Sequence, residues 1–368
     1  MKKLKKNRIV ILIAIVLIAV VIIINPIKLI NKNKLSNLKY KENTIENIFK
    51  YKLAEKVIEI GYSKTLESAL NSKDFEKKNI NSYEKIDYVE QDDFVKNINS
   101  LLEKEYSIDE INHINKTATK EDVDYILTLE KEDVSKYLSI DYSKASKFKR
   151  YIEYASNNVL TKEEIVTYIN IGLDNDFYKE YNDVTDFNNT MLVNKYNKLP
   201  DDYVPENLTT IDSEYATNEN QSATKEVVDA FIKMADDMKE ENLHIIANSS
   251  YRDYQSQKDI YESYEKKYGG KYAMEYAALA GFSDHQTGLV IDIANKNHDI
   301  FSGTKEYQWL KKNSYKYGFI LRYPKNKDNI TGYAYEAWHY RYVGVELATK
   351  VFESELTYDE YYVKYLDN

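Results

Sequence analysis

The sequence predicts an α+β domain with a small, largely antiparallel sheet and flanking helices, placed behind an all-α region and a membrane anchor. Three observations predict it. An apolar run, IVILIAIVLIAVVIII, is unbroken over residues 9–24. Residues 31–190 carry short apolar patterns opened by helix-capping pairs. Residues 191–368 combine one amphipathic helical stripe with four short strand-like runs.

The apolar run spans about 24 Å as a helix, slightly short of a hydrocarbon core near 30 Å. Flanking residues extend such a span or snorkel. Lys2, Lys3, Lys5, Lys6 and Arg8 precede it, and residues 1–30 hold no acid. That asymmetry places the N-terminus inside the cell. No small-x-small cleavage site follows the run, where Asn25, Pro26 and Lys28 stand instead, so an uncleaved anchor fits better than a signal peptide. Residues 1–30 are therefore read as a single-pass anchor in the cell membrane, with the rest of the chain extracellular.

Residues 31–190 are polar, yet apolar positions recur. Ser107 with Glu110, Thr119 with Asp122 and Thr161 with Glu164 form capping pairs. Each precedes apolar residues: Ile111 and Ile114, Val123 and Ile126, Ile165 and Ile169. In such a pair, side-chain oxygens satisfy the orphan amides of a helix start. The region reads as an array of short helices without a strict repeat period. Its simplest role is a spacer; a module that binds wall or a partner protein is the alternative.

The 368-residue chain contains no cysteine, which excludes disulfides and every thiolate metal or redox site. Its net charge is −9 although the first 30 residues are purely basic. An acidic body argues against nucleic-acid binding. Nothing in the sequence sets an oligomeric state.

In residues 191–368, Pro200 and Pro205 favour an extended entry segment. A helix is predicted from Thr224 to Glu241, with Val227, Val228, Phe231, Ala235 and Met238 on its core face. The predicted strands are Leu243–Ser249, Leu289–Ala294, Phe319–Tyr323 and Trp338–Val343, with a helical stretch over 254–280 after the first.

Chemistry concentrates in two segments. In Ser283-Asp284-His285-Gln286-Thr287-Gly288-Leu289-Val290-Ile291-Asp292, Gly288 permits a sharp turn that brings His285 to the mouth of the next strand. Alternation places Asp292 as a lone carboxylate on an otherwise apolar face. Such a group needs a metal, an arginine or backbone amides as partner. In Glu336-Ala337-Trp338-His339-Tyr340-Arg341, His339 and Arg341 share a face, and Glu336 precedes the strand. A hydrolytic zinc site takes three ligands from His, Asp or Glu and keeps its fourth position open. A nearby carboxylate can then move protons.

The pattern Ser283-x-His285-x-x-Gly288-x-x-x-Asp292 with Glu336-x-Trp338-His339 resembles the VanY-type zinc D-alanyl-D-alanine carboxypeptidases and their L,D-carboxypeptidase relatives. Ser250-Tyr251-Arg252 with Gln257, Gly318 to Pro324, Ile330 to Tyr333 and His339 to Gly344 match in the same order. The resemblance covers about residues 190–350. It implies the hedgehog/DD-peptidase fold, with His285, Asp292 and His339 as Zn2+ ligands and Glu336 as catalytic base. It also implies Arg252 as a substrate contact, at the terminal carboxylate or the developing oxyanion. Ser283 and Gln257 are further candidates for substrate binding; Arg322, Tyr323 and Arg341 read as supporting residues. His298 beside Asp299 reads as a solvated turn.

Two positions depart from the family pattern. Ala337 stands where proline is usual, which loosens the restraint on Glu336. Val290-Ile291 adds bulk near Asp292 and is expected to narrow the site. The implied substrate is the peptidoglycan stem peptide, cut before a C-terminal D-Ala. The alternatives are L,D-cleavage of tetrapeptide stems and a non-catalytic metal-binding wall scaffold; the presence of Glu336 argues against the scaffold.

Overall fold

The structure is a computed structural model that describes residues 26–367. The predicted anchor run over residues 9–24 lies outside the described residues. Among the described residues no helix is long and apolar enough to cross a membrane.

The chain divides into two compact units, one through Ser156 and one from Asn157 to Asn368. Among the described residues the first contains helices and no strand. Two of its helices, α1 (Ile108–Thr117) and α2 (Lys120–Ile126), start at the capping pairs read from the sequence. Each pair forms both reciprocal hydrogen bonds. Ile111, Ile114, Val123 and Ile126 are buried, so the caps fix where each apolar stripe begins.

The third capping pair, Thr161 with Glu164, opens α3 (Lys162–Ile171), which belongs to the second unit. Ile171 packs there with Tyr196, Ile330 and Val363. The boundary thus falls more than thirty residues before the 190/191 position expected from composition. Composition records solvent exposure and misses this apolar contact with the chain's end.

The second unit is built on four strands: β1 (Ile245–Ser249), β2 (Val290–Asn295), β3 (Phe319–Leu321) and β4 (His339–Tyr342). Their order is β1-β2-β4-β3 and every pairing is antiparallel. The four strands lie within two residues of their expected ends. Leu289, Ile291, Ile293, Tyr340 and Tyr342 join a core with Val227, Val228, Phe231, Ala235 and Met238 of α4 (Lys225–Glu240). The helical stripe is therefore core, as its spacing requires. Each such side chain contributes about 1.5–3 kcal/mol when fully buried.

The expected helical stretch after β1 is two helices, α5 (Tyr254–Tyr268) and α6 (Gly270–Tyr276). Gly269 breaks them apart at φ 89°, in the left-handed region that costs glycine nothing. The chain ends in α7 (Val345–Ser354) and α8 (Tyr358–Tyr365). A fourth capping box, Thr357 with Glu360, starts α8.

Lys195 ties α6 to the turn at Gly332. It is 1% exposed, and its Nζ donates to the carbonyls of Met274 at 2.6 Å and Gly332 at 2.5 Å. Phe177 and Tyr333 flank it with ring centroids at 4.2 and 4.3 Å. Burial pulls its pKa down to about 8 from 10.5, against a smaller opposing effect of Glu275. Between those values the unfolded chain binds more protons than the folded one, so this group makes stability rise with pH, by up to ~3 kcal/mol. Denaturant unfolding of wild type and Lys195→Met should diverge: moving from about pH 7 to about pH 10 should favour wild type relative to the variant. Parallel pH trends would show that the ammonium is not strained.

Candidate active site

The sheet register assembles the site. Asp292 on β2 pairs directly with His339 on β4, and its other neighbour is Ser249 at the end of β1. A register shift between Ala247 and Ser249 bends β1 there, which aims the following Ser250-Tyr251-Arg252 segment across the top of the sheet. His285 sits in a short 3-10 turn over Asp284–Thr287. That turn ends at Gly288 with φ 69°. A Cβ at Gly288 would meet Pro205 Cγ at 2.8 Å, so glycine is required on both conformational and steric grounds.

Three ligand atoms, from His285, Asp292 and His339, lie within 4.8 Å of one another. His285 Nε2 is 3.3 Å from Asp292 Oδ2, and His339 Nδ1 is 3.1 Å from Asp292 Oδ1. His285 Nδ1 lies 2.7 Å from the Ser250 carbonyl. A carbonyl only accepts, so Nδ1 carries the proton and Nε2 presents its lone pair to the centre. Asp292 Oδ1 is buried without a hydrogen-bond partner. Two imidazoles and a carboxylate converging in this way fit a divalent cation, and the N,N,O set is one that zinc takes.

Electrostatics agree with that fit. Burial, then Arg252, hold the His285 pKa down to about 4 despite Asp292, so the ring is neutral and available as a ligand. Burial opposes charge on Asp292 too, but His285 and His339 overcome it and hold the carboxyl well below its usual range. At His339, burial is outweighed by Asp292 and Glu336, which lift the pKa to about 9. The carboxylates thus favour a positive charge at this point. A proton satisfies one ring nitrogen; a metal ion satisfies all three ligand atoms.

Glu336 stands beside the cluster and outside the ligand set. Its Oε2 is 3.3 Å from His339 Nδ1, while its backbone N–H donates to the Tyr323 carbonyl at 3.2 Å. Burial raises its pKa above the ordinary carboxyl value, toward the range useful to a general base. The adjoining Ala337 is 1% exposed in the main core. Packing therefore supplies the restraint that proline was expected to give. Val290 and Ile291 are both fully buried and do not line the cleft, so their bulk does not narrow it.

The cleft over this cluster has a volume of about 340 Å³. Arg252, Gln257 and Ser283 all line it, with His285, Asp292, Glu336 and His339. Arg252 Nε is buried without a partner, and burial lowers its pKa against the pull of Asp292 and Glu336. Ser283 Oγ accepts from the His285 backbone N–H at 3.3 Å and so helps to seat the turn. Gln257 Nε2 donates to the Ala278 carbonyl at 2.7 Å, leaving its buried Oε1 as a free acceptor. The other histidines stay out of the cluster; His113, for instance, bonds the Ser143 carbonyl at 2.7 Å, and His298 sits in an exposed turn.

Sequence reasoning missed two features. The aromatic wall of the cleft combines Tyr264, Tyr272 and Tyr276, which come together where α5 packs on α6, with Trp338 just before β4. Asp284 was passed over between Ser283 and His285. It is fully buried with both Arg322 and Arg341 bonded to it. Two arginines on strands with no nearby acid were the available signal.

Fold and site together define a cleft fit for a single metal ion: three residues that could hold it, with a carboxylate beside them. Residues 220–345 match the VanY family, described as D-alanyl-D-alanine carboxypeptidase. YodJ of Bacillus subtilis (strain 168) is 41% identical over 181 residues, covering 47% of this chain and 66% of that protein. A D-alanyl-D-alanine carboxypeptidase of Enterococcus faecalis (strain ATCC 700802 / V583) is 34% identical over 185 residues, covering 46% and 64% respectively. The chain thus spans slightly less than two thirds of these relatives' length. Among solved structures, the LdcB LD-carboxypeptidase is 38% identical, with a TM-score of 0.47 over 52% of this chain and 94% of that one. The D,D-pentapeptidase VanY in complex with Zn(II) is 33% identical, with a TM-score of 0.42 over 47% and 98%.

Proposed function

We propose that this protein is a zinc-dependent D-alanyl-D-alanine carboxypeptidase that removes the C-terminal D-Ala from peptidoglycan stem peptides. The observation that carries the reading is the convergence of His285, Asp292 and His339 within 4.8 Å, with Glu336 against the same nitrogen of His339. The match of residues 220–345 to the VanY family supports the substrate class.

Zinc, when bound by these three residues, would polarise the scissile carbonyl and acidify a water molecule. The remaining work falls to the protein's own groups. Glu336 accepts a proton from the attacking water and returns it to the departing amine nitrogen, as the C–O bond forms and the C–N bond breaks. Burial raises its pKa while His339 pulls the other way, and the raised value strengthens it as the base for the first transfer. Arg252, whose Nε–H is buried without a partner, faces the cleft and would serve the terminal carboxylate or the oxyanion. Ser283 seats His285, and Gln257 offers its free acceptor to a substrate N–H. The aromatic wall supplies apolar surface for the peptide.

The proposal extends to location. The apolar run at residues 9–24, behind five basic residues, would hold the enzyme in the cell membrane with its cleft outside. The helical residues that follow the anchor would serve as a spacer.

The test is D-Ala release from synthetic pentapeptide and tetrapeptide stems by the full chain recovered in a membrane fraction. Release from the pentapeptide supports the D,D reading. Release from the tetrapeptide alone replaces it with an L,D specificity. Zinc binding without release from either would make the protein a wall-binding scaffold.

A further inference from the structure

We propose that Asp284 is a positioning residue for the metal ligand His339, and that Asp359 on the last helix holds it in place through Arg322. The inference rests on the metal-site reading above and adds residues outside the ligand set.

The first observation concerns His339. Its Nδ1 faces Asp292 and Glu336 at 3.1 and 3.3 Å. A neutral imidazole that ligates through Nδ1 carries its proton on Nε2. His339 is 4% exposed, and its Nε2 is buried without a hydrogen-bond partner. Asp284 Oδ2 stands 4.0 Å from it. That gap is about 1 Å longer than a hydrogen bond, and a small ring movement closes it. A carboxylate behind a ligating imidazole fixes its tautomer and orientation and raises its basicity.

The second observation explains why Asp284 cannot turn away. Its Oδ2 accepts from Arg322 Nε at 2.9 Å and its Oδ1 from Arg341 Nη1 at 2.6 Å. Arg341 is fixed in turn by the Met191 carbonyl at 2.8 Å. Arg322 is gripped from behind by Asp359, which accepts from Nη1 and, at 3.2 Å, from Nη2. Asn194 Nδ2 steadies Asp359 Oδ1 at 2.8 Å. Asp284, Arg322, Arg341 and Asp359 are all essentially without solvent exposure. Two acids and two arginines balance in charge, so each carboxylate is held where its arginine requires it.

Asp359 and Asn194 lie outside the segment 220–345 that matches the family. The network therefore makes α8 part of the metal site's frame. A network that only held the fold would use the same arginines, but nothing would then place an unpaired buried histidine nitrogen before Asp284.

The experiment measures zinc affinity of the full chain by chelator competition, at a temperature where circular dichroism shows each variant folded. Asp284→Asn keeps the shape and removes the charge, and should weaken zinc binding by about 10–100-fold. Asp359→Asn should weaken it several-fold. Met238→Ala, which removes a buried core side chain of α4, serves as the stability control and should bind zinc as wild type does. In a His339→Ala background the Asp284→Asn effect on zinc affinity should vanish while its effect on the melting temperature persists.

Wild-type affinity in folded Asp284→Asn overturns the proposal, as does an undiminished loss in the His339→Ala background. If Asp284→Asn does not fold, Asp359→Asn decides, and wild-type affinity there is the overturning result. A wild-type chain that binds no zinc would sink the metal reading itself, and that failure is visible before any variant is made.

Discussion

Replacing Glu336 with Gln is expected to lower kcat by a thousand-fold or more and to leave zinc content unchanged. The two halves of that result come from different parts of the geometry. The ligand atoms that converge belong to His285, Asp292 and His339, so an isosteric change at Glu336 removes none of them. The carboxylate nevertheless lies 3.3 Å from His339 Nδ1, close enough to serve the water and the leaving nitrogen in turn. Losing a positioned general base costs about 10²–10⁴-fold, and here one group serves both proton transfers. A thousand-fold is about 4 kcal/mol of barrier. The wild-type rate should also fall with pH as Glu336 becomes protonated, at a point above the ordinary carboxyl value because burial raises its pKa. Stopped assays on the pentapeptide, with zinc counted by elemental analysis, check both halves. A variant that keeps a tenth of wild-type kcat would remove Glu336 from the mechanism. One that arrives without zinc would make it a ligand.

Much of this site was legible before the coordinates, and the reason is local. His285, Gly288 and Asp292 lie within eight residues. A turn and one strand suffice to place them, so their spacing carries the geometry. Glu336 and His339 are likewise three residues apart at the mouth of β4. The three capping pairs were readable for the same reason: each is completed within a single turn of helix. What stayed hidden depends on contacts between distant segments. Asp359 meets Arg322 across 37 residues, and Asn194 meets Asp359 across 165. No periodicity announces such a pair. The unit boundary was misplaced for a related reason, since α3 looks like its helical neighbours in sequence but buries Ile171 against Val363. The free acceptor of Gln257 also depends on a distant partner, the Ala278 carbonyl that occupies its amide.

Asp292→Asn should abolish tight metal binding, by more than the ~10–100-fold expected of a group that only touches a ligand. Asp292 is the one negative ligand, and each of its oxygens faces a different histidine at 3.3 and 3.1 Å. Asparagine keeps the volume but offers a single neutral acceptor, and its NH2 group would point a donor at one imidazole lone pair. The consequence for stability can be read separately. A ligand bound only by the folded state adds about 2.7 kcal/mol at a hundred times its Kd, so wild-type melting temperature should climb with added zinc and fall with chelator. The variant should be insensitive to both. The carboxylate contributes in a second way, because its folded pKa lies well below its usual range. That contribution is present above the unfolded value and is lost as pH falls through the folded one, so the variant's stability should depend less on acidification. Thermal melts across zinc concentration and pH would therefore separate two roles of one side chain. A zinc-dependent rise in the variant equal to that of wild type would mean that the two histidines hold the ion with some other acid, and the ligand set drawn from this register would have to be replaced.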